Sequence, residues 1–410
     1  MKRVLILTSF ALLLAFGCGF ATQTRTLTMG DANMIVHDDY NIWLFPSTLY
    51  DYPDMAIGEF GDYRYELSNG SDIFTDVGVH YKFGKKKPFV MALYFTTNQP
   101  YQGFPYYLTN FIPVDNHRID LFYARMLGDN KFGFHFAYAH GSRTVEADSA
   151  YNFSLYEDMT EEKTCAYDFD FGLTMKDGKL DLAGGLHLLS WTDIGRNGNN
   201  RTEPDGNMSF YLMGRYFHEV DRRMTVVPHA GFAYGKFANK VYGLWLDDTD
   251  TNPVTEKNEL KEIMLDAGVG LNYEPASGIL AIGDIGLRLE KFDYTNDIGV
   301  QSAEENFKYF TLPYFKIGLD AVVFDWMDLR MGATSYWTNS KYEDIQADNY
   351  SGTFKASTVE NETYLGAGFH WGNFLIDAQI NPEMVINGFN FISGEEETMN
   401  YRVSFKYNMF

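Results

Sequence analysis

The chain has 410 residues, a formal net charge of −22 and an aromatic content of 17%. That excess of acid excludes a nucleic-acid protein working through a basic surface. With only two cysteines a disulfide framework is excluded too, and no stretch beyond the N-terminus approaches the roughly 18 apolar residues of a spanning helix.

The N-terminus comes first in chain order and bears on the compartment. Lys2 and Arg3 precede an apolar run from Val4 to Phe16, and small residues follow through Ala21. This is the pattern of a secretory signal, with cleavage expected after Gly19-Phe20-Ala21. Lipidation at Cys18 is the rival reading, and Ala15 stands where a leucine is expected. Removing residues 1–21 deletes the charges of Lys2 and Arg3, taking the formal −22 to −24, and leaves Cys165 as the one cysteine.

Residues 22–53 show no strand pattern. They carry Met29-Gly30-Asp31-Ala32, then Asp38-Asp39, then Phe45-Pro46-Ser47-Thr48-Leu49. From residue 54 the period changes to two. Phe132, Phe134, Phe136 and Tyr138 alternate with Gly133, His135 and Ala137. Ile263, Leu265, Ala267, Val269 and Leu271 alternate with Met264, Asp266, Gly268 and Gly270. Each such segment has one greasy face and one small or polar face.

About sixteen such segments follow one another, each long enough to cross a bilayer when tilted. They begin near Met55, Ile73, Phe89, Arg118, Phe132, Cys165, Leu180, Met208, Met224, Ile263, Ile279, Tyr309, Met327, Leu365, Phe374 and Tyr401. Short connections such as Gly128–Asn130 and Gly372–Asn373 alternate with long ones rich in Asp, Asn and Gly. Outer-membrane barrels alternate tight periplasmic turns with long external loops in this way. The expected fold is all-β: a single transmembrane antiparallel up-and-down barrel of about sixteen strands, or fourteen if two segments form an external hairpin. The alternative is a secreted sandwich, with the greasy face turned into a core. The chain closes on Tyr401, Val403, Phe405, Tyr407 and Met409, with Phe410 out of phase; such a strand resembles the signal read by the barrel-assembly machinery.

The N-terminal elements quoted above resemble the signature of the FadL/PorV-like outer-membrane barrels. That signature has Met-Gly-x-Ala, an acidic pair, and Asn-Pro-Ala-x-Leu before the first strand. Here Phe45 replaces the asparagine and Ser47 the alanine. The resemblance spans about 25 residues, and members of that family have fourteen strands. It implies that Met29, Gly30, Asp38, Asp39, Pro46 and Leu49 belong to a hatch folded into the barrel. Read without the resemblance, residues 22–53 are equally a lead-in to strand one that ends at Pro46.

Catalytic and metal motifs are not found: no G-x-S-x-G, H-E-x-x-H, P-loop or C-x-x-C occurs. The expectation is therefore a protein without enzymatic role, cofactor or metal site. The charged residues of the segments fall in phase with the small face. They include Asp168, Asp170, Asp181, His187, Asp266, Arg288 and Arg330, expected to line the lumen. Asp168, Asp170, Asp181 and His187 could form one acidic–imidazole cluster, or a network paired with Arg or Lys across the pore. An Arg or Lys facing hydrocarbon would cost roughly 2–4 kcal/mol at the bilayer midplane, so these groups must face inward.

Three functions agree with this sequence. The first is a channel or transporter for small molecules. The second is a FadL-like transporter of hydrophobic compounds, which a greasy pocket above residues 22–53 would support. The third is a PorV-like partner of a secretion system that transports nothing. Expected partners are outer-membrane lipid and lipopolysaccharide, the assembly machinery and a small solute, but not nucleic acid; the chain is compatible with oligomers.

Overall fold

Extended backbone turns the period-two pattern into two chemically distinct faces. The computed structural model describes residues 23–63, 72–97, 117–143, 159–195, 201–244, 254–298, 301–345, 351–380 and 402–409. Its strands are β1 (Met55–Tyr63), β2 (Asp72–Phe83), β3 (Phe89–Thr97), β4 (His117–Leu127), β5 (Asn130–Arg143), β6 (Met159–Met175) and β7 (Leu180–Gly195). A broken strand follows, β8 (Arg201–Pro204, Asn207–Tyr216 and His218–Glu219). The rest are β9 (Met224–Leu244), β10 (Val254–Ala276), β11 (Ile279–Ile298), β12 (Gln301–Phe324), β13 (Met327–Ile345), β14 (Ser351–Trp371), β15 (Phe374–Ile380) and β16 (Arg402–Asn408).

The first two pieces of β8 pair with both β7 and β9, and the third continues along β9, so the three are one barrel strand. Every strand pairs antiparallel with its sequence neighbours. The ring closes where β1 pairs with β16, from Met55–Asn408 to Gly61–Arg402. The sheet is thus a closed sixteen-stranded up-and-down barrel, in which all sixteen expected segments take part. Tight turns occupy one end; Gly128 sits in one of them with φ +64°, a conformation side chains with a Cβ rarely adopt. The long connections at the other end fall largely outside the described residues, as do the signal, Cys18 and Phe410.

Burial settles which face is outside. On β12, Ile317 is 60% exposed and its neighbour Lys316 only 9%. Leu265, Val269 and Leu271 on β10 and Ile285, Leu287 and Leu289 on β11 are exposed in the same way. A soluble sandwich would bury these side chains. Here they form an outer apolar band, while the charged face is enclosed.

Residues 23–53 do not join the sheet. They form α1 (Gln23–Thr28) and two 3-10 turns, Asp39–Trp43 and Pro46–Asp51. The first 3-10 turn is held by reciprocal capping. The Tyr40 amide donates to Asp38 Oδ1 at 3.1 Å, and the Asp38 amide donates to Asn41 Oδ1 at 2.9 Å. Pro46 occupies the first turn of the second, where no amide is needed.

Candidate functional site: an occupied lumen

The N-terminal segment touches the inner wall around its circumference. Small residues on the inner face allow the approach. A Cβ on Gly318 would overlap the Met29 carbonyl, and one on Gly332 would overlap the Gly30 backbone. Gly133 and Gly172 face Pro46 and Ser47 in the same manner. Leu49 is fully buried, in a cluster with Trp43, Val90 and Phe122. Trp43 packs edge-on to Tyr94, Phe122 and His135, with ring centroids 5.1, 5.0 and 5.7 Å away.

Polar contacts complete the docking. Arg215 on β8 donates to Asp181 at 2.9 Å, to the Asn33 and Val36 carbonyls at 2.8 and 2.9 Å, and to Asn41 Oδ1 at 2.9 Å. Its guanidinium lies 4.5 Å from the Phe45 ring centre. Arg25 bridges Asp38 at 2.7 Å and Asp320 at 3.1 Å. Asp320 also holds Arg330, which reaches Asp328 and Asp377. Lys406 pairs with Asp39 at 2.6 Å, and Lys316 with Asp31 at 2.7 Å. The Thr24 amide and hydroxyl donate to Glu59 at 2.9 and 2.6 Å. A charged cavity of about 240 Å³ remains between the segment and the wall, lined by Arg25, Asp38, Asp39, Arg330, Asp377 and Lys406 among others.

Asp38 is buried with Asp39 beside it. Loss of hydration raises its carboxyl to about 7, the neighbouring acid adds to this, and Arg25 only partly offsets it.

The predicted lumen residues separate into distinct networks. Asp168, Asp170 and His187 join Arg118, Asp120 and His135 in a closed ring. Arg118 Nε lies 2.7 Å from Asp120, which lies 2.9 Å from His135 Nε2. His135 Nδ1 is 2.7 Å from Asp170, and Asp170 is 3.0 Å from His187 Nε2. His187 Nδ1 is 3.2 Å from Asp168, which returns to Arg118 Nη1 at 2.8 Å. Asp181 is not part of this cluster: its carboxylate takes Arg215 and the Thr174 hydroxyl, one step nearer the turns. Elsewhere Asp266 accepts from Arg288 at 3.0 Å. Lys82 shares the inner phase but is exposed at the turn end.

Sequence reading passed over His135, Glu59, Arg25 and Trp43. Alternation places His135 on the inner face, between Phe134 and Phe136. Its partners, however, come from β4 and β6, and only strand register reveals them.

Toward the loop end the inner wall changes character. Ala139, Ala166, Leu189, Phe237, Leu260 and Phe292 form a buried apolar cluster, with Trp191, Tyr294, Phe307 and Tyr309 packed on it. Beside it one cross-strand row runs Ser209, Gly235, Glu262, Phe292, Phe307 over β8 to β12. Trp191 Nε1, Ser209 Oγ and Glu262 Oε2 have no hydrogen-bond partner among the described residues.

These features define a closed sixteen-stranded barrel with a charged inner wall and an occupied turn-end lumen. No family model matches the chain, and no curated protein matches it in sequence. Among solved structures it is similar to the Pseudomonas putida toluene transporter TodX, at 11% identity over 95% of this chain and 98% of that one, with a TM-score of 0.39. The CymD monoaromatic hydrocarbon channel matches at 9% identity over 95% and 97%, TM-score 0.38. The unliganded ferric citrate transporter FecA matches at 8% over 80% and 66%, TM-score 0.36. Likeness at this level implies neither common descent nor shared cargo.

Proposed function

We propose that the protein is a bacterial outer-membrane transporter for hydrophobic or amphipathic small molecules, held shut at rest by its own N-terminal segment. Residues 1–21 are removed on export, 22–53 act as the hatch, and 54–410 form the wall. The short turns face the periplasm and the long loops face outward. Lipid tails solvate the outer band, which is why the charges are inside.

The observation that carries this reading is the apolar inner patch on the loop side of the segment. A pore for polar solutes would be expected to keep that wall wet. Here Leu189, Phe237, Leu260 and Phe292 are packed together as a buried apolar cluster that a hydrocarbon cargo enters by parting it, and the unpartnered polar atoms of Trp191, Ser209 and Glu262 are there to orient that cargo. An open porin also needs a clear axis, and residues 23–53 occupy it. Charge pairs at the segment–wall boundary give the hatch a polar, reversible seam.

Quenching of Trp191 tests the reading. In lipid nanodiscs, a brominated fatty acid or alkane should quench a saturable part of the tryptophan emission, and Trp191→Phe should remove that part. Equal quenching in both proteins would place the ligand in the bilayer and contradict the reading.

A further inference from the structure

A row of lysines runs across the outside of the barrel at the loop-end border of the apolar band. Cross-strand pairing sets Lys291 opposite Lys308, Lys308 opposite Lys341, and Lys341 opposite Lys355, from β11 to β14. Lys236 and Lys261, opposite each other on β9 and β10, continue it. Their direction follows from their neighbours. Phe292 is buried in the lumen cluster and Phe307 packs on it, so Lys291 and Lys308 point outward.

The height of the row is that of the outer headgroups. At about 3.4 Å per residue and a tilt of about 40°, Lys291 stands roughly 25 Å beyond Ala281, the height of the apolar band of such barrels. Leu289, Phe310, Trp337 and Val359 lie on the same outer face just below the lysines, all exposed. Tryptophan at this level is typical of the membrane–water boundary.

Nothing in the fold calls for such a row. Like charges directly opposite on neighbouring strands destabilise a sheet, and the chain as a whole carries −22. Some lysines are answered locally: Asp293 pairs with Lys291, Glu343 with Lys341, and Glu259 with Lys236 and Lys261. Among the described residues Lys308 and Lys355 make no direct ion pair, although the Glu343 carboxylate, bound to Lys341, is near enough for its charge to act on both. Three ammonium groups in one row with a single carboxylate, Glu343, between them, beside exposed apolar side chains, match a ligand with closely spaced phosphates on a lipid.

We propose that this outer row binds the phosphate groups of a phosphorylated glycolipid in the outer leaflet. The inference rests on the barrel lying in the outer membrane with its loops outward. The ammonium groups take the phosphates, and the apolar side chains below them take the first methylenes of the acyl chains. The interleaved carboxylates keep neighbouring lysines from repelling one another before the lipid arrives.

Native mass spectrometry of the full chain, extracted in detergent and delipidated, tests this. The probes are diphosphoryl lipid A and the same lipid dephosphorylated. The phosphorylated form should bind about tenfold more tightly or better, and the preference should fall as salt rises. A triple variant, Lys291→Gln, Lys308→Gln and Lys341→Gln, should lose the preference while keeping the heat-modifiable gel mobility of a folded barrel. Equal binding of the two lipids would overturn the inference, as would an undiminished preference in the folded triple variant. Competition by millimolar inorganic phosphate alone would overturn it as well, by showing a site for the free anion. A chain that stays monodisperse without detergent would instead overturn the underlying barrel-in-membrane reading.

Discussion

Arg215 makes four hydrogen bonds, one to the wall at Asp181 and three to the N-terminal segment. Removing one partner of a buried ion pair costs about 3–5 kcal/mol, because the other charge is left in a poor medium. Arg215→Met should therefore loosen the segment. Trypsin cleavage after Arg25 reads this out, being slow in the native protein and fast in the variant; unchanged cleavage would show that Arg215 does not hold the segment. Gly332→Val should act similarly by steric overlap with Gly30, whereas Gly283→Val, with open space around its Cβ position, should not. Asp38 adds a pH dependence. Its carboxyl rises from the ordinary 3.8 to about 7 on docking, so the docked state holds more protons between those values. Docking should weaken as pH rises from about 4 to about 7. Arg25, Asp39, Asp320 and Lys406 are the charges packed around it. Asp38→Asn retains the cap and stays neutral, so trypsin sensitivity of the variant should climb less across this window than in the native chain; parallel profiles would assign the dependence to other groups.

At the scale of elements, the sixteen strands are legible because alternation is a local property. The starts near Met55, Phe89, Leu180, Ile279 and Phe374 fall within a residue or so of the observed strands. Ends toward the loops are less legible. The pattern of β10 marks Ile263, yet the strand begins at Val254, because above the apolar band both faces turn polar and the contrast vanishes. Of the closed ring, Asp168, Asp170 and His187 were legible as inward charges, whereas His135 and the ring itself were not. Which residues meet depends on register across β4 to β7, and so Asp181 parts from its sequence neighbours. Inner-face glycines carried a further signal: they gather where the segment's backbone meets the wall. The outer band gives a test at this scale. Ile317→Arg should cost about 2–4 kcal/mol if the side chain meets hydrocarbon, lowering the urea midpoint for unfolding from lipid vesicles, while Ile317→Phe should leave it nearly unchanged. Equal midpoints for the two variants would mean that Ile317 faces water.

For the whole molecule, the division of the lumen matters most. The turn-end half is filled by residues 23–53, held by glycine contacts, buried ion pairs and the Trp43 cluster. The loop-end half holds the buried apolar cluster and, among the described residues, a few unpartnered polar atoms. Sequence alone left hatch and lead-in open, because a non-repeating segment of about thirty residues shows no period from which its position could be read. The many contacts to strands on all sides place it within the barrel, and the proposed function takes a closed axis as the resting state. Conductance across planar bilayers, compared between the mature chain and one lacking residues 23–50, tests this most directly. The mature protein is expected to be silent or nearly so, and the deletion to give large ohmic steps. Large steps from the mature protein, left unchanged by the deletion, would contradict it.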